Sequence, residues 1–189
     1  MEIFYAITLG LLFGFALNRA GATNPQNIIN MLRLTDTFLM KAILLAIGIS
    51  AIGLFGSLAL GLIDPSHVSI KSAYIGVIVG GALLGIGFAL AGYCPGTGLA
   101  AMATGRKDAI AFVIGGFVGA FIYMLGFGWL ENNTPLFQEI SGGDVSLALT
   151  GNDKYDAILP QLGGPFLGII IGIAFCLIAI ALPKNILKG

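Results

Sequence analysis

In the stretch GFALAGYCPGTGLAAMATGRKD, Gly87–Asp108, a cysteine, a proline and glycines at 92, 96 and 98 interrupt an otherwise apolar chain. Proline is at home in the first turn of a helix, where its missing N–H costs nothing. Pro95 therefore marks a helix start, with Thr97 as a capping residue and a short helix over Thr97–Thr104. Gly96 and Gly98 would leave backbone N–H groups uncovered. That positive helix end points back at Cys94, and such an end attracts anions. A soft sulfur beside it suits a soft, sulfur-containing anion better than a metal cation. The competing reading makes Cys94 a small apolar residue in a tight turn. Arg106 and Lys107 follow directly, either gathering anions at a pore mouth or anchoring the chain at a membrane surface. Cys176, inside GIAFCLIAIAL, reads as helix packing or a lipid-facing residue.

The elements that must hold this break are set by composition. Of 189 residues, 57% are hydrophobic and only 10% charged, against about 25% charged in soluble domains. The chain is therefore expected to be an all-α polytopic membrane protein. A formal net charge of zero, with no basic face, points away from nucleic acid. The start, Met1-Glu2-Ile3-Phe4, lacks the basic region and cleavage site of a signal peptide, so the first helix is expected to stay. Two cysteines make no disulfide framework. His67 has no second histidine beside it for a metal site. With no P-loop, ATP-driven chemistry would need another protein. No cofactor is expected.

A bilayer crossing takes about 20 apolar residues. Five segments qualify: Ile3–Leu17 (extendable through Ala20), Phe38–Ile63, Ala73–Gly92, Ala109–Leu130 and Leu162–Leu182. Two pieces are too short to span, Pro25–Leu34 and Thr97–Thr104, and the stretch Glu131–Gln161 reads as an acidic, turn-rich loop. Arg19, Arg33, Lys41, Arg106, Lys107, Lys184 and Lys188 fall on one side of five such spans, Lys71 and Lys154 on the other. Positive residues favour the cytoplasm, so the N-terminus is expected outside and the C-terminus inside. Trp129 reads as an interface anchor. Glycine rows such as Gly76/Gly80, Gly81/Gly85, Gly115/Gly119 and Gly164/Gly168/Gly172 permit close helix packing.

The chain also resembles itself. Gly14-Phe15-Ala16-Leu17 matches Gly87-Phe88-Ala89-Leu90, and Ala20-Gly21 matches Ala91-Gly92 once Asn18 and Arg19 are treated as an insertion. On that register Thr23 takes the place of Cys94, and Asp36 and Asp108 each open the next span. A duplication within one membrane domain, residues 1–189, is expected: repeat 1 over about 3–63, repeat 2 over about 73–130, a loop over 131–161 and a last helix over 162–182. Irregular backbone at membrane depth is tolerated only where protein or a water-filled cavity satisfies it. Paired interruptions point to a substrate path. Arg19 lies in the first break, either on that path or snorkelling to the interface.

GIGFALAGYCPGTGLAAMATGRKDA, with FGFALNRAGATNP before it and LPQLGGPFLGIIIG after it, resembles the YeeE/YedE sulfur-transport family over nearly the whole chain. It looks like a half-length member. The resemblance implies two short re-entrant helices and uptake of thiosulfate or a related sulfur compound across the bacterial inner membrane, with no enzymatic step. It places Cys94 on the substrate path, where weak thiol hydrogen bonds meet the ion's sulfur; Pro95, Gly96, Thr97, Gly98, Thr23 and Arg19 are the other expected path residues. The family's first-repeat cysteine is replaced here by Ala22 or Thr23. A homodimer, a heterodimer with a sister half-length chain, and a sulfur-carrier or rhodanese-like protein are the implied partners, beside membrane lipid. Two other readings stay open: a membrane thiol component passing persulfide sulfur, which lacks a CxxC or a nearby resolving cysteine, and a non-transporting subunit of a two-part transporter.

Overall fold

The computed structural model describes residues 2–69, 71–140, 145–149 and 156–183. Seven helices dominate: α1 Glu2–Arg19, α2 Pro25–Leu32, α3 Phe38–Ala59, α4 Ile75–Ala91, α5 Pro95–Ala103, α6 Lys107–Asn133 and α7 Gly164–Ala181. Five stretches are long and apolar enough to cross a membrane, with α4 and α5 together making the third. Large side chains such as Phe4, Phe13, Phe117, Met124 and Trp129 stand more than half exposed. In water such surface would be costly; in lipid it is the ordinary outer face of a multi-pass protein. The all-α membrane class expected from composition is the class observed.

The chain divides into two compact units. One takes the chain through Leu39, then Gly81–Asn133, and resumes at Pro183; the other holds Met40–Gly80 and Thr134–Leu182. The first unit contains both breaks, and they are built alike. α1 ends on Gly21 (φ +73°) and α4 on Gly92 (φ +67°), left-handed positions that glycine adopts without strain. Each short helix then opens with proline, Pro25 or Pro95, behind a capping side chain. Each also closes with the same pair of crossed bonds. Leu34 N–H donates to Met31 O and Thr35 N–H to Asn30 O; Gly105 N–H donates to Met102 O and Arg106 N–H to Ala101 O. These are Schellman closures, which satisfy carbonyls that a helix end would leave bare. Leu34 holds the left-handed φ (+58°) that Gly105 (+83°) takes at the matching place. After the first closure, Asp36 Oδ1 accepts from the N–H of Phe38, the first residue of α3.

In the second unit, α3 and α7 meet through small residues. A Cβ on Gly48 would come within 2.5 Å of Cys176 Sγ, and one on Gly172 within 2.9 Å of Gly48 O. Gly168 lies against the Phe55 ring. Here the glycine row of α7 does what the sequence suggests, and Cys176 is a packing residue at a backbone crossing. The stretch expected to be a loop is more structured than its composition implies. α6 runs on to Asn133, and β1 (Val145–Leu149) pairs in parallel with β2 (Asp156–Gly163), Ser146 facing Ala157 and Ala148 facing Leu159. The extended run of β2 ends only at Gly163, so α7 starts at Gly164 rather than at 162. Lys154, Lys184 and Lys188, which entered the charge argument, lie outside the described residues.

Candidate substrate site at the second helix break

Cys94 is itself the cap of α5. The residue before a proline is pushed toward extended backbone, and Cys94 sits there at φ −89°, ψ 165°. That conformation is what an N-cap requires. Its Sγ accepts from Thr97 N–H at 3.3 Å, and its own N–H donates to Thr97 Oγ1 at 2.9 Å, closing a reciprocal capping box. The Thr97 hydroxyl lies 3.2 Å from both Cys94 Sγ and Cys94 O, to one of which it donates. This corrects the expectation that Thr97 caps a helix beginning at 97: the helix begins at Pro95, and Thr97 is its third residue, 5% exposed.

The N-terminal amides are correspondingly fewer than expected. Thr97 N–H is taken by sulfur and Gly98 N–H by Cys94 O at 2.9 Å. Among the described residues, only Gly96 of the three positions 96–98 keeps a free N–H. Gly98 serves packing instead, since a Cβ there would fall 2.5 Å from the Phe112 ring. A thiol carries one weak donor and a weak acceptor. With the acceptor side engaged by the helix end, the S–H proton of Cys94 is what remains for an incoming group.

Beside the half-buried Cys94 is a cavity of ≈ 320 Å³, lined by Gly81, Leu84, Gly85, Phe88, Cys94 and Pro95. Its α4 wall includes Gly81 and Gly85, where a Cβ would meet nothing within 4 Å. The space admits a small ion. The other break adjoins this turn directly. A Cβ on Gly92 would strike Pro25 Cβ at 2.8 Å and Pro25 O at 3.0 Å, so the start of α2 is seated on the end of α4. α1 closes in from elsewhere, with the Phe13 ring 3.8 Å from the Cβ position of Gly96.

Other expected path residues are placed less directly. Thr23 is 8% exposed and its hydroxyl donates to Asn18 Oδ1, back toward α1. Counted from the proline, the capping counterpart of Cys94 is Asn24, whose side chain accepts from Gln26 N–H. The first turn simply holds one residue more. Arg19 ends α1, exposed and without an ion pair among the described residues. Arg106 is not a free cation: its Nη2 stands 2.9 Å from Asp108 Oδ2 and its Nε donates to Oδ1 at 3.2 Å. Lys107 is exposed at the first position of α6. Tyr93 and Asp108 join Arg106 in a network that sequence spacing does not announce, the Tyr93 hydroxyl donating to Asp108 Oδ2 at 2.9 Å.

Five apolar spans define a multi-pass membrane protein, and the capped break at Cys94 lies beside a small cavity. The family model for sulphur transport matches residues 6–187, and the chain belongs to that family, YeeE/YedE. Two proteins of Xylella fastidiosa, from strains Temecula1 and 9a5c, are each named a probable transporter. Each is 30% identical over 126 residues, covering 62% of this chain and 85% or 86% of the relative. No solved structure matches.

Proposed function

We propose that the chain carries thiosulfate, or a closely related small anion with a terminal sulfur, across the bacterial inner membrane without chemical change. The observation that carries this reading is Cys94 at the N-cap of α5, its sulfur fixed by Thr97 beside the cavity. A soft terminal sulfur accepts a weak hydrogen bond from the thiol, while the free N–H of Gly96 and the positive end of α5 suit the oxyanion end. Each contact is weak, and a conduction site must release what it binds. Membership of a sulphur transport family supports the same reading.

Proteoliposomes holding the purified protein are expected to take up radiolabelled thiosulfate and to discriminate against sulfate, which has no terminal sulfur. Equal uptake of the two would refute a sulfur-selecting site. Protein-bound persulfide after incubation, without net uptake, would favour sulfur relay through Cys94 instead.

Orientation follows from charge. Arg19, Arg33, Lys41, Arg106 and Lys107 belong to the two breaks and their flanks, and a cytoplasmic placement for all of them puts the N-terminus outside. Single cysteines introduced at Glu131 and Glu139 are then expected to react with an impermeant maleimide from the periplasmic face of spheroplasts. Labelling only after the cytoplasmic face is opened would reverse the orientation.

A further inference from the structure

Tyr93 stands immediately before Cys94 and has a partner fifteen residues on. Its ring is 2% exposed and packs on Phe112, centroids 5.6 Å apart, with Ala101 and Ala109 closing the cluster. At the ring's tip the hydroxyl donates to Asp108 Oδ2, in the first turn of α6. Arg106 holds the same carboxylate through both of its oxygens. The chain from Tyr93 to Asp108 thus leaves the turn, runs the length of α5, reverses at Gly105 and is pinned back to its beginning. Asp108 is 49% exposed in its side chain and could be met by water alone. Its alignment is instead set from two sides, by a buried phenol and by a forked guanidinium, a combination that fixes direction as well as distance.

We propose that the Tyr93–Asp108 tether, oriented by Arg106, holds the Cys94 turn in register with α6, making Tyr93 and Asp108 positioning residues for the substrate contact. This rests on the reading of Cys94 given above. The tether acts through the backbone of the turn. Tyr93 is fixed at both its ring and its hydroxyl, so the neighbouring Cys94 has little freedom to swing its thiol away from the cavity. Arg106 then acts on Asp108, and its charge is spent there rather than on a passing anion.

The test uses the full chain with Cys176→Ala, so that N-ethylmaleimide reads Cys94 alone, together with thiosulfate uptake in proteoliposomes. Tyr93→Phe keeps the ring and its packing and removes only the hydroxyl. It is expected to change the labelling rate of Cys94 about tenfold, the scale of a hydrogen bond to a charged group, and to raise the KM for thiosulfate more than it lowers the maximal rate. Asp108→Ala should do the same, and the double variant should go no further than either single, as partners in one interaction do. Asp108→Asn, which keeps an acceptor oxygen for the hydroxyl, should recover most of the loss. A Tyr93→Phe labelling rate within about twofold of the parent overturns the tether, given the tenfold expected of such a bond. So do Tyr93→Phe and Asp108→Ala effects that add in the double variant. The labelling arm does not depend on the substrate: if the parent takes up no thiosulfate while Tyr93→Phe still shifts labelling, the transport reading falls and the tether stands.

Discussion

On the proposed function, Cys94→Ser is expected to leave the protein folded and inserted and to remove most thiosulfate uptake, by about tenfold if one directional contact to the charged ion is lost. Serine is among the best N-cap residues, and its oxygen can accept from Thr97 N–H as the sulfur does at 3.3 Å. The start of α5 therefore survives. What changes is the donor that faces the cavity, from a polarisable thiol to a small, strongly hydrated hydroxyl. Cys94→Ala is a poorer instrument, because alanine cannot accept from Thr97 N–H and so loses the cap as well. A drop in uptake with alanine alone would mix stability with transport. Cys176→Ala, at the crossing with Gly48, serves as the control and should transport like the parent. Uptake by Cys94→Ser equal to the parent, at matched amounts in the membrane, would leave the sulfur with no part in transport.

Gly92→Ala is expected to destabilise the first unit strongly. At φ +67° a side chain is strained, at about 1–3 kcal/mol. The new Cβ also presses on Pro25, its backbone oxygen included, at 2.8 and 3.0 Å. Backbone cannot rotate aside, so overpacking adds about 1–3 kcal/mol. Gly61 offers the comparison: it has φ +70° but open space within 4 Å, so Gly61→Ala suffers the strain alone. Thermal denaturation in detergent should rank parent, Gly61→Ala and Gly92→Ala in falling order. Equal losses for the two variants would mean that the seat of Pro25 on Gly92 contributes nothing.

Much of this was legible before any coordinates. Length and hydropathy locate the long helices, because a bilayer leaves few alternatives to an apolar run. Pro25 and Pro95 mark the short helices, since each fixes a helix start. The error over Thr97 was one of offset: a proline at N1 makes the preceding residue the cap, so Cys94 was readable as the cap from Pro95 alone. The Thr23 register differs for a related reason: it is counted from Gly21 and Gly92, whereas the capping position is counted from the proline, and the first turn is one residue longer. Tertiary contacts left no such trace. Nothing at Tyr93 announces Asp108, and nothing at Gly92 announces Pro25, because these pairings depend on how the helices fold back. The strands of 145–149 and 156–163 were hidden for another reason. They are short, set among acidic and glycine residues, and one of them carries Pro160, which argues against a strand interior on sequence grounds.

The capping role of Cys94 sets folding against selection at a single position. Serine, asparagine and aspartate all satisfy a helix start better than a thiol does, so drift toward stability leads away from sulfur at residue 94. On the function proposed above, a cysteine is kept at this position by what its thiol meets in the cavity. If the proposed transport is its task, a lineage that gives up that transport should change this residue first, with Pro95, Thr97 and Gly98 outlasting it because the helix still needs them.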